Sequence, residues 1–487
     1  MRKLSYFLLL LGSYVFLSCS DDKQFSEIGE TTISKLNNTE ELNLPFEDEA
    51  VLKSFSEDSK ILEYNKARKL TLIEMIGTGF DKEMGWEGYR LSQIPVVLYG
   101  FDNKPKFYDF IVLNAESKPV GTITAYARKA ASTIIKEVSP NIKDYGLLLS
   151  KASLGGNKAS LFVDWTGNSY VGLLGKSDET PTSVVNVETG NVAEEIKELE
   201  GAEIIQELQK DMLPALLPQD FSIYDNLTSE GNQELQEEIE ASKTLTLNVL
   251  VDSMKTTCQQ DVENTKAFWT ELETEVPNIT EMNDDEILDA NGKSWFSRLV
   301  RRVFSGVDRK VTYLNRYVNS GTYYGTTTEA PWCGPWACGY ILYVKTKENK
   351  YEYFTNCASS FGEFGFLNVA LRIFGKPMTP AEMAWSMPIA SKGKIKISPF
   401  PWFTDFAAYD QIHHYGKPAL RLCSSGGGLH WTVAYGTYQS GNYFWRNYYF
   451  LQQDNGSKYT KGTYKSPTIK SNYSRADWWN PWFMVWD

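Results

Sequence analysis

Histidine is almost missing from this chain: His413, His414 and His430 are the only three in 487 residues. Imidazole chemistry near neutral pH therefore has three candidates and no more. Cysteine is nearly as scarce, with six residues, which excludes a scaffold built on disulfides. No Cys-x2-Cys or His-x3-His pair occurs to begin a tetrahedral site, so neither a metal nor a cofactor is expected. Positive charge is in deficit, 49 Lys and Arg against 61 Asp and Glu for a net of -12. That balance opposes a phosphate backbone, and no nucleic-acid partner is expected. Low-complexity tracts are absent as well. With 42% hydrophobic and 14% aromatic residues, the chain has material for two or three globular domains.

The longest apolar run is at the N-terminus and falls short of the roughly 18 residues a membrane span requires. Met1-Arg2-Lys3, the apolar stretch from Leu4 to Leu17, then Ser18-Cys19 form the charged, hydrophobic and small-residue regions of an export signal. Phe16-Leu17-Ser18-Cys19 resembles a bacterial lipobox, which implies removal of residues 1–18 and acylation of Cys19. Ser20-Asp21-Asp22-Lys23 is similar to the acidic tether of some Bacteroidetes surface lipoproteins. The expectation is an exported protein held to the outer membrane by N-terminal lipid alone and facing the cell surface, with residues 19–60 as the tether. Five cysteines then remain, and an odd number leaves at least one thiol free.

Charge divides the chain sharply. Residues 187–290 hold 26 Asp and Glu against 5 Lys and no Arg, so the rest of the chain nets +9. Apolar residues three and four apart predict helices near 192–199 and 235–254. Residues 186–305 read as an acidic helical linker, or as an acidic cover over a basic cleft downstream. Ahead of it, residues 95–100, 107–113, 120–126, 159–164 and 170–174 are strand-like and separated by turn residues. Residues 61–185 are thus a small α+β module, and without His, Cys or a catalytic cluster it is assigned no chemistry.

Residues 306–487 hold the remaining chemistry. His413 and His414 end a helical pattern stopped at Gly416, an ordinary place for cations. His430 instead opens a strand, after the strand at 419–423 and the turn Gly426-Gly427-Gly428. The next strand, 448–453, ends at Asp454-Asn455-Gly456, where a carboxylate beside the histidine strand would fix the imidazole tautomer. Upstream, Trp332-Cys333-Gly334-Pro335 places Pro335 in the first turn of a helix and Cys333 at its N-terminus. Backbone N–H groups and the helix dipole favour a thiolate there.

The Cys-Gly-Pro helix start, the Gly-Lys-Pro before a strand, and the chain order Cys, His, Asp resemble the papain-like cysteine peptidases, in the branch of the bacteriocin-leader peptidases and streptopain. The resemblance covers residues 312–487. It implies an α+β fold with a papain-like C-terminal catalytic domain, a peptide or protein substrate, Cys333 as nucleophile, His430 as general base and then acid, and Asp454 as the orienting group, with Asn455 as its alternate. The strands at 95–126 are similar to streptopain-type pro-domains. A cut near Arg298–Arg302 or Arg309-Lys310 would then release the catalytic part.

The chain departs from that family at the oxyanion donor. The usual Gln about six residues before the nucleophile is replaced by Thr327, leaving Asn319 or the backbone N–H of Cys333 for the role. Two other readings stay open: an inactive papain-like surface protein that binds peptide or glycan, and a cell-wall endopeptidase or transglutaminase-like enzyme. Thioredoxin-like exchange is excluded by spacing, because Cys338 stands five residues from Cys333 and not three. The sequence does not define the oligomeric state.

Overall fold

In the computed structural model, the described residues are 44–487 apart from 144, 146–158, 166–168, 174–183, 187–191, 193–196, 213–232, 305–310, 315–316, 318–323, 328–332, 351, 355–379, 399–400, 403, 426–427, 442–444, 454–461, 466–472, 476–478, 480 and 487. For 233–246 and 423–430 the description is of backbone only. The chain is α+β.

Runs rich in β-branched and aromatic residues make the strands of the N-terminal module: β1 (Val96–Tyr99), β2 (Pro105–Leu113), β3 (Pro119–Tyr126), β4 (Ile135–Ser139), β5 (Ala159–Val163), β6 (Ser169–Leu173) and β7 (Val184–Asn186). Those at 107–113, 120–126, 159–164 and 170–174 fall within a residue or two of the sequence expectation. The C-terminal part supplies β8 (Lys396–Ile397), β9 (Ala419–Ser425), β10 (Gly428–Gly441), β11 (Arg446–Gln453), β12 (Tyr473–Arg475) and β13 (Trp482–Trp486).

These strands form one sheet in the order β8-β13-β9-β10-β11-β12-β4-β3-β2-β1-β5-β6-β7. The two halves meet where β12 pairs with β4, Tyr473 opposite Val138 and Ser474 opposite Glu137. Pro45–Asp487 accordingly forms one compact unit. Along this order β1 and β5 pair in parallel, with Leu98 opposite Leu161.

Helix α1 (Tyr64–Thr78) lies against the sheet with Leu70, Leu72, Ile73 and Met75 at 0–1% exposure. The Glu63 carboxylate caps it by accepting from the Asn65 and Lys66 amides, and it stops at Gly79, whose φ of +83° suits a residue without a Cβ. Because α1 is buried on nearly every side, its polar residues need partners. Arg68 forms a two-pronged pair with Asp284 at 2.5 and 2.8 Å.

The acidic segment contains α2 (Gln233–Glu275), 43 residues long. It neither hangs free as a linker nor sends its described carboxylates to a basic cleft. Glu273 meets Lys129 at 2.6 Å and Lys66 at 3.4 Å, Asp261 meets Arg475 at 2.8 Å, and Glu275 meets Arg298 at 2.7 Å and Arg302 at 2.6 Å. Met254, Phe268, Trp269 and Leu272 on the same helix are buried in the core.

The helix expected near 192–199 does not form in the described residues. Val192 bridges to Val185, and Glu198 accepts from Lys106 at 2.6 Å and from the Phe101 amide at 2.9 Å. These tertiary bonds outweigh a weak helical pattern.

The C-terminal aromatic run packs as a core strand. In β13, Trp482, Phe483 and Val485 are at 0% exposure, with Phe483 5.1 Å from Trp431 and Trp482 4.4 Å from Phe450.

Candidate active site

The sequence Cys-Gly-Pro-Trp-Ala-Cys-Gly-Tyr-Ile-Leu-Tyr-Val-Lys-Thr forms α3 (Cys333–Thr346). A helix apolar on all sides belongs in a core, and Cys333, Trp336, Ala337, Cys338, Tyr340, Ile341 and Leu342 are all at or below 2% exposure. Cys333 is the first helical residue and Pro335 the third, as the sequence predicts. The first N–H groups of a helix have no acceptor inside it, so those of Cys333 and Gly334 point out of the N-terminus.

Helix α3 packs along β10. Tyr340, midway along the helix, meets Tyr317 at 5.8 Å, and Tyr317 stacks on Tyr435 of β10 at 6.4 Å. Beyond the far end of the helix the chain is held by a side-chain bond. Lys350, just past α3, donates to the carbonyl of Ala390 at 2.9 Å. Ala390 closes α4 (Pro380–Ala390), which leads into β8, where Ile397 pairs with Val485. The neighbouring Met484 lies opposite Ala419, and Ala419 opposite Ala434.

The segment just past the C-terminus of α3 is therefore joined through α4 to β8 at the edge of the sheet.

His430 is the third residue of β10, opposite Cys423 of β9. Strand β11 runs antiparallel to β10 and ends with Gln453 opposite Val433, so the chain leaves β11 at the same end of the sheet. The Thr432 hydroxyl donates to Gln452 Oε1 at 2.6 Å and ties the two strands together there. The start of β10, which carries His430, and the end of β11 thus lie at one end of the sheet.

Asp454, Asn455, Asn319 and Cys19 lie outside the described residues. Thr327 ends a short strand, Tyr324–Thr327, and pairs with Gly462. His413 and His414 close α5 (Asp405–His413), which is capped by Thr404 and followed by Gly416 at a φ of +63°. His413 stacks on Tyr409 at 5.0 Å, and His414 is exposed beside Asp410 at 3.7 Å. Both serve the helix end. Cys258, on α2, is a free thiol. Burial and the Asp261 carboxylate push the Cys258 thiol up, which makes it a poor nucleophile near neutral pH.

The N-terminal module carries polar chemistry that the sequence reading passed over. Asp109, at 0% exposure, accepts from Thr124 at 2.5 Å, Tyr145 at 2.7 Å and Lys143 at 3.0 Å. Burial works to lower the Lys143 ammonium, but Asp109 and Glu137 outweigh it and the net shift is upward. Glu74 of α1 accepts from the Thr133 hydroxyl at 2.5 Å and from the amides of Ile134 and Ile135 at 2.7 and 2.9 Å. Burial pushes its carboxyl up to about 7 against these bonds. The only signal in the sequence was a charged residue inside an apolar pattern.

No family model, no curated protein and no solved structure matches this chain. Among the described residues no group of three or more His, Cys, Asp or Glu could hold a metal ion. No described helix is long and apolar enough to cross a membrane.

Proposed function

We propose that this chain is an exported, lipid-anchored cysteine peptidase of papain-like fold that hydrolyses peptide bonds through Cys333, His430 and Asp454. The reading is supported above all by one observation: a cysteine heads a buried helix that packs against the strand carrying the one histidine not spent on a helix end.

In this mechanism His430 accepts the proton of the Cys333 thiol, and the thiolate attacks the peptide carbonyl carbon. The carbonyl π electrons move to oxygen, where the outward N–H groups at the start of α3 take the place of the absent Gln. His430 then protonates the leaving amine as the C–N bond breaks, giving a thioester on Cys333. Water, deprotonated by His430, attacks the thioester, and the sulfur leaves and is reprotonated. Asp454 holds the imidazole tautomer throughout. Since Cys333 is 2% exposed, the form described is latent, and a substrate reaches the sulfur only after residues covering it move.

That same burial and the missing Gln favour the second reading, a papain-like surface protein that binds peptide without cleaving it. Labelling with a thiol-reactive peptide-mimetic probe between pH 5 and 9, followed by mass mapping, separates the two. The peptidase predicts modification of Cys333 well below the free-thiol pKa of about 8.5, and complete loss of hydrolysis in Cys333→Ala with an unchanged fold. A protein without preferred labelling, or with hydrolysis intact in Cys333→Ala, is not this peptidase.

A further inference from the structure

A cavity of about 930 Å³ lies on the N-terminal module, and none of its lining residues belongs to α3 or β10. Its size is within the range of small-molecule sites. The floor is the face of the sheet that carries Phe107 and Tyr126, whose rings are 5.4 Å apart, together with Leu98 and Leu161. The roof is α2, through Asp261, Thr265 and Trp269. Two half-buried indoles, Trp165 and Trp479, meet edge to face at 6.3 Å along one side.

The charges inside are matched in pairs: Lys106 with Glu198 at 2.6 Å, Lys129 with Glu273 at 2.6 Å, Arg475 with Asp261 at 2.8 Å, and Lys143 with Asp109 at 3.0 Å. Lys60 and Lys266 stand exposed at the rim. The cavity therefore offers aromatic faces and many hydrogen-bonding heads, with no concentrated charge of one sign. Of the other lining cations, Arg128 pairs with Asp102 at 2.6 Å and Lys136 donates to the Arg475 carbonyl at 2.9 Å, so an anionic ligand would have to displace existing bonds, and a lipid chain would desolvate the ion pairs along the walls.

Thr265 supplies a second, independent observation. On the same helix Thr256, Thr257, Thr270 and Thr274 each donate their hydroxyl to the carbonyl four residues back, at 2.8 to 2.9 Å. Thr265 does not. It is 9% exposed, it lines the cavity, and its Oγ1 has no hydrogen-bond partner. A buried hydroxyl left unsatisfied costs stability unless something else completes it.

We infer that this cavity is a binding site for a neutral oligosaccharide, distinct from the proposed peptidase centre. Sugar C–H faces stack on the Trp165 and Trp479 rings, and sugar hydroxyls exchange hydrogen bonds with the paired charged heads and with Thr265.

The test is a tryptophan-fluorescence titration of the full mature chain with maltotetraose, cellotetraose, mannotetraose and chitotetraose, with tetragalacturonate as the anionic comparison. At least one neutral tetrasaccharide is expected to bind saturably. Thr265→Val, which keeps the side-chain shape, is expected to weaken it about two- to tenfold, the worth of one neutral hydrogen bond. Trp165→Ala should weaken it more than about tenfold through lost ring contact, and Cys333→Ala should leave it unchanged. Failure of all four neutral sugars to bind more tightly than about 10 mM, binding of tetragalacturonate alone, or binding indifferent to both cavity substitutions would each overturn the assignment.

Discussion

The phenol oxygen of Tyr449 lies 2.7 Å from the hydroxyl of Thr133, and that hydroxyl donates in turn to the carboxylate of Glu74. Tyr449 also donates to the carbonyl of Ile135 at 2.9 Å. This chain of buried contacts joins α1 and the N-terminal module to β11, the strand that leads out towards Asp454. Cooperative polar networks in a low-dielectric core fix geometry when every member is satisfied. The three bonds that Glu74 accepts hold the turn into β4 against α1, and Tyr449 carries the contact on to β11.

The first prediction follows from the titration of Glu74. Burial raises its carboxyl from an ordinary 4.5 to about 7 in the folded chain. A raised acid favours the protonated fold, so its contribution is complete below pH 4.5 and is lost as pH rises through about 7. Glu74→Gln removes the titrating group. The stability of the natural chain relative to Glu74→Gln, from urea unfolding at pH 4 to 8, should fall across that window by up to about 1.4 kcal/mol per pH unit and then level off. A difference that stays constant with pH would show that Glu74 does not titrate there.

A second prediction concerns the ion pair of Arg68 and Asp284, whose side chains are 4% and 8% exposed. It clamps α1 to the capped turn at Asn283 that follows the acidic helix. Removing one partner strands a charge in the core, so Asp284→Ala should cost about 3 to 5 kcal/mol of unfolding free energy. Replacing both, as Arg68→Met with Asp284→Leu, should cost clearly less than the single change, because no charge is left buried alone. Urea midpoints of the three variants decide it. A double variant as unstable as Asp284→Ala would show that shape, and not the stranded charge, sets the cost.

Local pattern made the individual elements legible. Alternation in 107–113 and 120–126 marked β2 and β3, and Cys-Gly-Pro marked the start of α3, because the side chains that carry those signals lie within a few residues of one another. The union of the two halves was not legible. It rests on β4 and β12, the short runs Ile-Lys-Glu-Val-Ser and Tyr-Ser-Arg, which have little periodicity of their own and pair across more than three hundred residues of chain. The burial of Asp109 and Glu74 was not legible for a related reason: the hydroxyls and amides that satisfy them come from turns and strands 15 to 61 residues away. The helical spacing of 192–199 does not reach Glu198, which is drawn to Lys106.

The third prediction bears on activation. A cut near Arg298–Arg302 was expected to free the C-terminal part, but the two halves share more than a tether. Asn447 donates to the Ser132 carbonyl at 2.7 Å, Tyr438 donates to the carbonyl of Thr78, and the Phe80 ring stacks on Tyr438 at 4.4 Å and meets Tyr449 edge-on at 5.0 Å. Together with the β12–β4 pairing, these contacts bury apolar and polar groups that would be costly to expose. Arg298 and Arg302 are about half exposed and open to trypsin, yet they are bound to Glu275 of α2. Limited trypsin digestion should therefore give two fragments in a denaturing gel that elute as one species in native gel filtration and separate only in denaturant. Deleting residues 19–290 should yield an unfolded or aggregated product, because α1, β1–β7 and the core face of α2 go with it. Two separate native peaks after nicking, or a soluble folded 291–487 fragment, would make the N-terminal module a removable pro-segment. If instead the nicked halves stay together, any activation of Cys333 must come from a local opening at the start of α3, and hydrolysis should track probe labelling of Cys333 and not the extent of cleavage.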